Sequence, residues 1–300
     1  MTFSLSRAPT LSRSAHDRVA ERRDDAAWLA AAWERGRALI ATPEYLTPVV
    51  EGPGGPRLDL RPASTLPSDA ERYFLGVAED QPTFAVRVPR DLRADRWVDL
   101  REIGAALDDL DAGLLTSAVA LARWHDRHPR CSICGAPTSV AHAGWIRRCP
   151  VDSSEHFPRT DPAVIMLVHD GGDRCVLGRQ ASWPPGRYSI LAGFVEPGES
   201  SEAAVAREVA EEVGLSVTDV TYAGSQPWPF PSSLMLGYTA RAVGDLTLRR
   251  RDGELAEAHW VTRSDLRAAA GWAAPGAAPL RLPPPVSIAH RIITDWAAPD

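Results

Sequence analysis

Three carboxylates, Glu208, Glu211 and Glu212, fall within one short stretch of the chain, and their spacing suits a site for a hard divalent cation. Ser200 to Val213 reads as a helix, because Ala203, Ala204, Val205, Ala206, Val209 and Ala210 supply propensity and an apolar stripe. Gly198 precedes this helix and Gly214 follows it, the latter placed for a left-handed C-cap. At i, i+3 and i+4 the three carboxylates share one face, where each like-charged pair costs roughly a few tenths of a kcal/mol. Mg2+ or Mn2+ reverses that sign, since such ions take carboxylate oxygen and also bridge phosphate oxygens. A solvated acidic face would account for Glu211 and Glu212, but not for Gly193, Gly198, Glu199 and Arg207 beside them.

From Gly193 to Leu215 the chain fits G-x5-E-x7-R-E-U-x-E-E-x-G-U, with U apolar, at every fixed position. This is identified as the Nudix box, so the segment resembles the metal site of the Nudix hydrolases. The resemblance implies a catalytic set of Glu199, Arg207, Glu208, Glu211 and Glu212. It also implies an oxygen ligand from the Ala192 backbone and a tie from Arg207 back to Glu199; on the helix itself Arg207 is expected to point away from the acids. A second stretch, Ser225 to Met235, reads SQPWPFPSSLM. Its three prolines forbid a regular helix or a central strand, and they hold Trp228 and Phe230 with little entropy left to lose on binding. By composition it is a rigid loop that tucks two aromatics into a core. It is also similar to the hallmark of the NAD(H) pyrophosphatase branch of the family, which implies substrate contacts from Gln226, Trp228, Ser233 and Met235. Phe194 resembles the aromatic that stacks on the bound nucleotide. Glu254 takes the place of the family's downstream metal-binding Glu, and Glu257 the place of a second, structural one. Leu282 to Pro285 and Ile288 to Arg291 resemble the closing turn and helix, with the Ala289 backbone as an implied nucleotide contact.

Cys131 and Cys134 have zinc-knuckle spacing, and Cys149 follows after a ribbon-length gap. The second knuckle reads Cys-x2-Asp, where the branch has Cys-x2-Cys, so Asp152 stands at the fourth ligand position. His156 and His142 are the alternatives, and a ribbon held by packing without metal is the bland reading. Cys175 falls in a predicted strand. His156-Phe157 matches a substrate-contacting stretch of the family, which implies that Phe157 faces the pocket.

Elements on either side must position these groups. Residues 1–25, rich in Ser, Arg and Asp, are expected to be mobile. Short apolar runs at Arg37 to Ile40, Arg72 to Val77 and Phe84 to Val88 predict a small α+β domain over 26–111. Residues 112–157 carry a helix, Ala112 to Trp124, and the ribbon-like motif. Residues 158–300 form the catalytic domain, with strands at Ala163 to His169, Cys175 to Arg179, Leu234 to Ala242 and Ala258 to Thr262. There Ser264 or Asp265 would cap a short helix. The expected architecture is α/β: a Nudix α/β/α sandwich with a zinc-ribbon-like insert and the small N-terminal domain. A net charge of −6, with no lysine, argues against a general nucleic-acid-coating protein. No apolar run reaches membrane-spanning length and no secretory h-region is visible, so a cytoplasmic location is expected.

The activity implied by the resemblance is metal-dependent hydrolysis of NADH and NAD+ to nicotinamide mononucleotide and AMP. Removal of the 5′ NAD cap from RNA would be a second use of the same site, and the protein would act as a homodimer. Mg2+ or Mn2+ is the implied catalytic metal and Zn2+ the structural one. Two other readings are a Nudix enzyme for ADP-ribose, FAD or a dinucleoside polyphosphate, and a non-catalytic NAD(H) sensor.

Overall fold

A computed structural model describes residues 3–90, 92–250, 253–272 and 278–299. The chain divides into two compact units, one of Arg13–Thr160 with Pro229–Ser232, the other of Met1–Ser12, Asp161–Trp228 and Ser233–Asp300.

The first unit opens with α1 (Ala26–Arg35), β1 (Arg37–Ala41), β2 (Thr47–Gly52), β3 (Gly55–Leu58), β4 (Arg61–Pro62), β5 (Arg72–Ala78), β6 (Gln81–Arg87) and β7 (Arg96–Val98). Two sheets result, ordered β4-β1-β6-β5 and β3-β2-β7. Leu39 and Ile40 of β1, Phe74 of β5 and Val86 of β6 are buried, as the apolar runs predict. A short α2 (Leu100–Ile103) precedes α3 (Asp109–Arg127), which is longer at both ends than the apolar run alone predicts. The Asp108 side chain caps it by accepting from the Asp111 amide, so polar residues extend the helix beyond its hydrophobic stripe. The ribbon follows as a three-stranded sheet of β8 (Ser139–Ala141), β9 (Ile146–Arg148) and β10 (Glu155–His156). Arg147, buried, ties this sheet to α3: its guanidinium reaches His125 Nδ1 at 2.9 Å and Thr138 Oγ1 at 2.7 Å.

The second unit is built on β11 (Asp161–His169), β12 (Arg174–Gln180), β13 (Leu191–Phe194), α4 (Ser201–Val213), β14 (Ser216–Trp228), β15 (Ser233–Val243), β16 (Leu255–Thr262), α5 (Arg263–Ala268) and α6 (Ile288–Ala297). The sheet runs β14-β15-β11-β12-β16, with β13 also paired to β11. Alternation along β11 decides what covers each face. Val164, Met166 and Val168 join Ala204, Val205 and Val209 of α4 in one core. Ile165 and Leu167 join Ile288, Ile292 and Trp296 of α6 in the other. The unit is thus the expected α/β/α sandwich. Pro227 pairs within β14, which is an edge strand, where a residue without a donor is tolerated.

Two local expectations are corrected. Leu11, placed by composition in a mobile leader, is buried; its amide meets Gln226 Oε1, and Ser12 Oγ donates to the Ser225 carbonyl. These are backbone and amide partners, which composition does not reveal. α5 is capped by Thr262, not by Ser264 or Asp265. Thr262 accepts from the Asp265 amide and Asp265 reciprocates, so the helix begins earlier than its charge pattern suggests.

Candidate active site

α4 forms where it was expected, with Ser200 accepting from the Ala203 amide and Gly214 closing the helix at φ 73°. Glu208 turns toward β13 and lies over Gly193. A Cβ at that glycine would fall 1.8 Å from the Glu208 carboxyl carbon, so only a residue without a side chain lets the carboxylate in. Ala192, the candidate backbone ligand, is the adjacent residue of the same strand. Glu212, at 3% exposure, is the most deeply buried of the three acids, and Glu211 is the most open.

Arg207 departs from expectation. It does tie back to Glu199, with Nε and Nη2 each 2.9 Å from a carboxylate oxygen, but it does not point away from the cluster. Its Nη1 lies 2.9 Å from both Glu208 Oε1 and Glu211 Oε2, while Nη2 also donates to the Phe194 carbonyl. One cationic nitrogen already sits between two of the candidate ligands. The repulsion along the helix face is therefore relieved by a neighbouring side chain, which is why Arg immediately before the first acid matters. The Arg207 hydrogen bonds, then the Glu196 amide, hold Glu199 below the usual carboxylate range. Burial pushes Glu208 up, and the charges of Glu211 and Glu254 add to that push against the pull of Arg207. Glu254 thus lies within electrostatic reach of Glu208, just before β16.

Three of these carboxylates, Glu208, Glu211 and Glu254, act on one another, and a glycine cradle admits the first, which is donor chemistry that fits a hard divalent cation. Glu257, the other acid of the downstream segment, is committed elsewhere. Arg179 grips it at 2.7 Å, Tyr188 donates its hydroxyl, and these bonds bring its pKa down to about 2. Sequence reasoning missed both partners. Arg179 meets Glu257 only because β12 and β16 pair at that register.

Strand pairing also gathers most of the substrate candidates. Phe194 pairs with Ala163, Ala163 with Met235, and Met235 with Gln226; one step on, Trp228 pairs with Ser233. Paired residues share a sheet face, here the α6 face, where Ala289 begins that helix in the core. Phe194 is 60% exposed and can offer a ring face. Gln226 cannot serve as expected. Its side chain is fully buried and spends its hydrogen bonds on the Leu11 amide and the Val286 carbonyl, so it braces the structure. Phe157, in the ribbon unit, is 64% exposed.

In that unit the donor atoms of Cys131, Cys134, Cys149 and Asp152 all lie within 4.8 Å of one another. Cys134 and Cys149 sulfurs are 3.5 Å apart, and the Ile133 and Val151 amides point at Cys131 and Cys149, as in a metal knuckle. Asp152 is held well below the usual carboxylate range, first by the Ser154 hydroxyl and then by the Ser154 amide. His142 is turned to Asp24 and Glu155 instead. Cys175, buried in the sheet core, has its thiol pushed up to about 12 by burial and belongs to neither site.

Known proteins are similar to each part of this chain. The NUDIX domain family matches residues 159–281, the NADH pyrophosphatase zinc ribbon domain 126–157, and the NADH pyrophosphatase-like rudimentary NUDIX domain 27–124. The chain is 46% identical over 314 aligned residues to the NAD-capped RNA hydrolase NudC of Mycobacterium bovis, covering 99% of this chain and 97% of that protein. The protein of the same name from Mycobacterium tuberculosis is 45% identical over the same shares. A human mitochondrial NAD(P)H pyrophosphatase, NUDT13, is 42% identical over 67% of this chain and 59% of its own length. With Glu208 seated over Gly193 and all three domain families matched in order, the chain belongs to the Nudix hydrolases, in their NADH pyrophosphatase branch.

Proposed function

We propose that this protein hydrolyses the pyrophosphate bond of NADH and NAD+ and removes the 5′ NAD cap from RNA. The observation that carries the reading is Glu208 of α4 seated over Gly193 and tied through Arg207 to Glu211, on a chain that matches NAD-capped RNA hydrolases along nearly its whole length. Water adds to one phosphorus, the bridging P–O bond breaks, and nicotinamide mononucleotide and AMP leave, or nicotinamide mononucleotide and a 5′-monophosphate RNA.

Glu208 and Glu212 would hold the divalent metal, and Glu211, Glu254 and the Ala192 carbonyl would complete its oxygen set. Mg2+ or Mn2+ bound there supplies charge neutralisation for the pyrophosphate and acidifies water. Glu211 or Glu212 would accept the proton of the attacking water, the alternative being that this water needs no dedicated base. Arg207 keeps the acids in register through Glu199. Phe194 stacks on a flat ring of the dinucleotide, while Trp228, Ser233, Met235 and the Ala289 backbone shape its pocket; by the resemblance, Phe157 is taken as a further substrate contact. Cys131, Cys134, Cys149 and Asp152 would hold structural zinc.

We also infer a homodimer in the cytoplasm; a thiolate-rich metal knuckle suits a reducing compartment. Among the described residues no helix is long and apolar enough to cross a membrane. Residues 26–111, 112–157 and 158–300 are taken as its domains.

Product analysis with NADH, NAD+, ADP-ribose and NAD-capped RNA tests the reading. Metal-dependent release of nicotinamide mononucleotide is expected, falling about 10²–10⁴-fold in Glu212→Gln. Near-normal turnover in that variant would refute the role of Glu212, and cleavage of ADP-ribose alone would refute the substrate.

A further inference from the structure

The two oxygens of Asp152 have different surroundings. Oδ1 accepts twice from Ser154, from the amide at 3.0 Å and from the hydroxyl at 2.5 Å. Oδ2 lies 3.3 Å from Cys131 Sγ, within the cluster of ligand atoms. The Ser154 hydroxyl has one proton, and the short bond to Oδ1 takes it. Its oxygen, 3.4 Å from Cys131 Sγ, is then left to accept from His156 Nε2 at 3.1 Å. The other ring nitrogen, Nδ1, sits 3.5 Å from Ser132 Oγ. His156, the rival fourth ligand by sequence, thus has both nitrogens turned to serine hydroxyls, and it lies outside the four-residue donor cluster.

We propose that Ser154 makes Asp152 a one-oxygen ligand, so that this ribbon closes on its metal with three thiolates and a single carboxylate oxygen. Both lone-pair directions of Oδ1 are occupied, which leaves Oδ2 alone to face the sulfurs and keeps the site four-coordinate. A carboxylate free to rotate could chelate through both oxygens, or swing out to water from its exposed position. Two bonds from one residue, both to the same oxygen, prevent each of these. Ser154 is a positioning residue, and His156 in turn orients its hydroxyl. Replacing one soft thiolate by a hard oxygen also changes selectivity. The set should favour zinc and cobalt over cadmium more strongly than four thiolates would.

The inference rests on the ribbon holding metal, and its readouts do not depend on hydrolysis. Full-length protein is loaded with cobalt(II), and the thiolate-to-cobalt charge-transfer band is measured per bound metal. The wild type should give this band at three-quarters of the intensity found in Asp152→Cys, in the ratio of three thiolates to four. Zinc affinity, by competition with a chromophoric chelator, should fall roughly 10- to 100-fold in Ser154→Ala, with the three-thiolate spectrum retained. Ser154→Thr, which keeps the hydroxyl, should recover most of that loss. His156→Ala should keep the metal and its spectrum. Wild-type affinity in Ser154→Ala would overturn the proposal, as would loss of metal in His156→Ala with retention in Asp152→Asn. Far-UV circular dichroism on each variant separates lost affinity from an unfolded ribbon, and Ser154→Thr remains informative if Asp152→Asn fails to fold.

Discussion

At the scale of single residues, the site depends on what is missing from Gly193 as much as on the acids. Its Cβ position is already occupied by the Glu208 carboxylate. Gly193→Ala should therefore displace Glu208 by about an ångström and lower kcat about 100-fold. Steady-state kinetics beside a metal-binding isotherm would check this, with weaker metal binding expected to accompany the loss. The box positions were legible in the sequence because their types and intervals carry the chemistry. The direction of Arg207 was not, since it is set by where β13 brings the Phe194 carbonyl. Gln226 was misread for a related reason. A motif gives a residue's position along the chain, whereas its partners, the Leu11 amide and the Val286 carbonyl, come from opposite ends of the sequence.

At the scale of elements, the apolar alternation of β11 and the stripe of α4 were enough to anticipate a sandwich. Strand registers were not anticipated, and they create the contacts that hold the downstream acids. Glu257 illustrates this, because the β12–β16 register delivers it to Arg179. Its pKa in the folded protein, about 2, lies below the ordinary 4.5. Its contribution to stability is therefore complete above pH 4.5 and disappears as the pH falls through about 2. Partial exposure screens the pair, so the effect is modest. Glu257→Gln should be less stable than wild type at pH 7, and the two denaturant midpoints should converge as the pH approaches 2. A constant difference across that range would show that Glu257 acts otherwise. The reciprocal cap at Thr262 is a smaller case: the sequence shows an acid near a helix start, and only the backbone tells which residue leads.

At the scale of the whole molecule, three segments legible from motif and composition became two compact units, because the N-terminal strands, α3 and the ribbon share one unit. Residues 3–12 join the other through contacts no composition rule anticipates. The two metals should behave differently here. Omitting Mg2+ and Mn2+ should stop hydrolysis while leaving the thermal midpoint nearly unchanged, whereas removing zinc should lower the midpoint through the ribbon. Calorimetry with activity assays on the same samples would check both, and a large fall on omitting Mg2+ and Mn2+ would contradict the expectation. The reason lies in Arg207, whose single charge is shared by Glu199, Glu208 and Glu211 and offsets part of their repulsion from within the fold. A protein that carries its own countercharge does not have to wait for an ion before it matures. If the proposed metal site is right, such a protein should stand folded through a shortage of divalent cations and resume hydrolysis once they return.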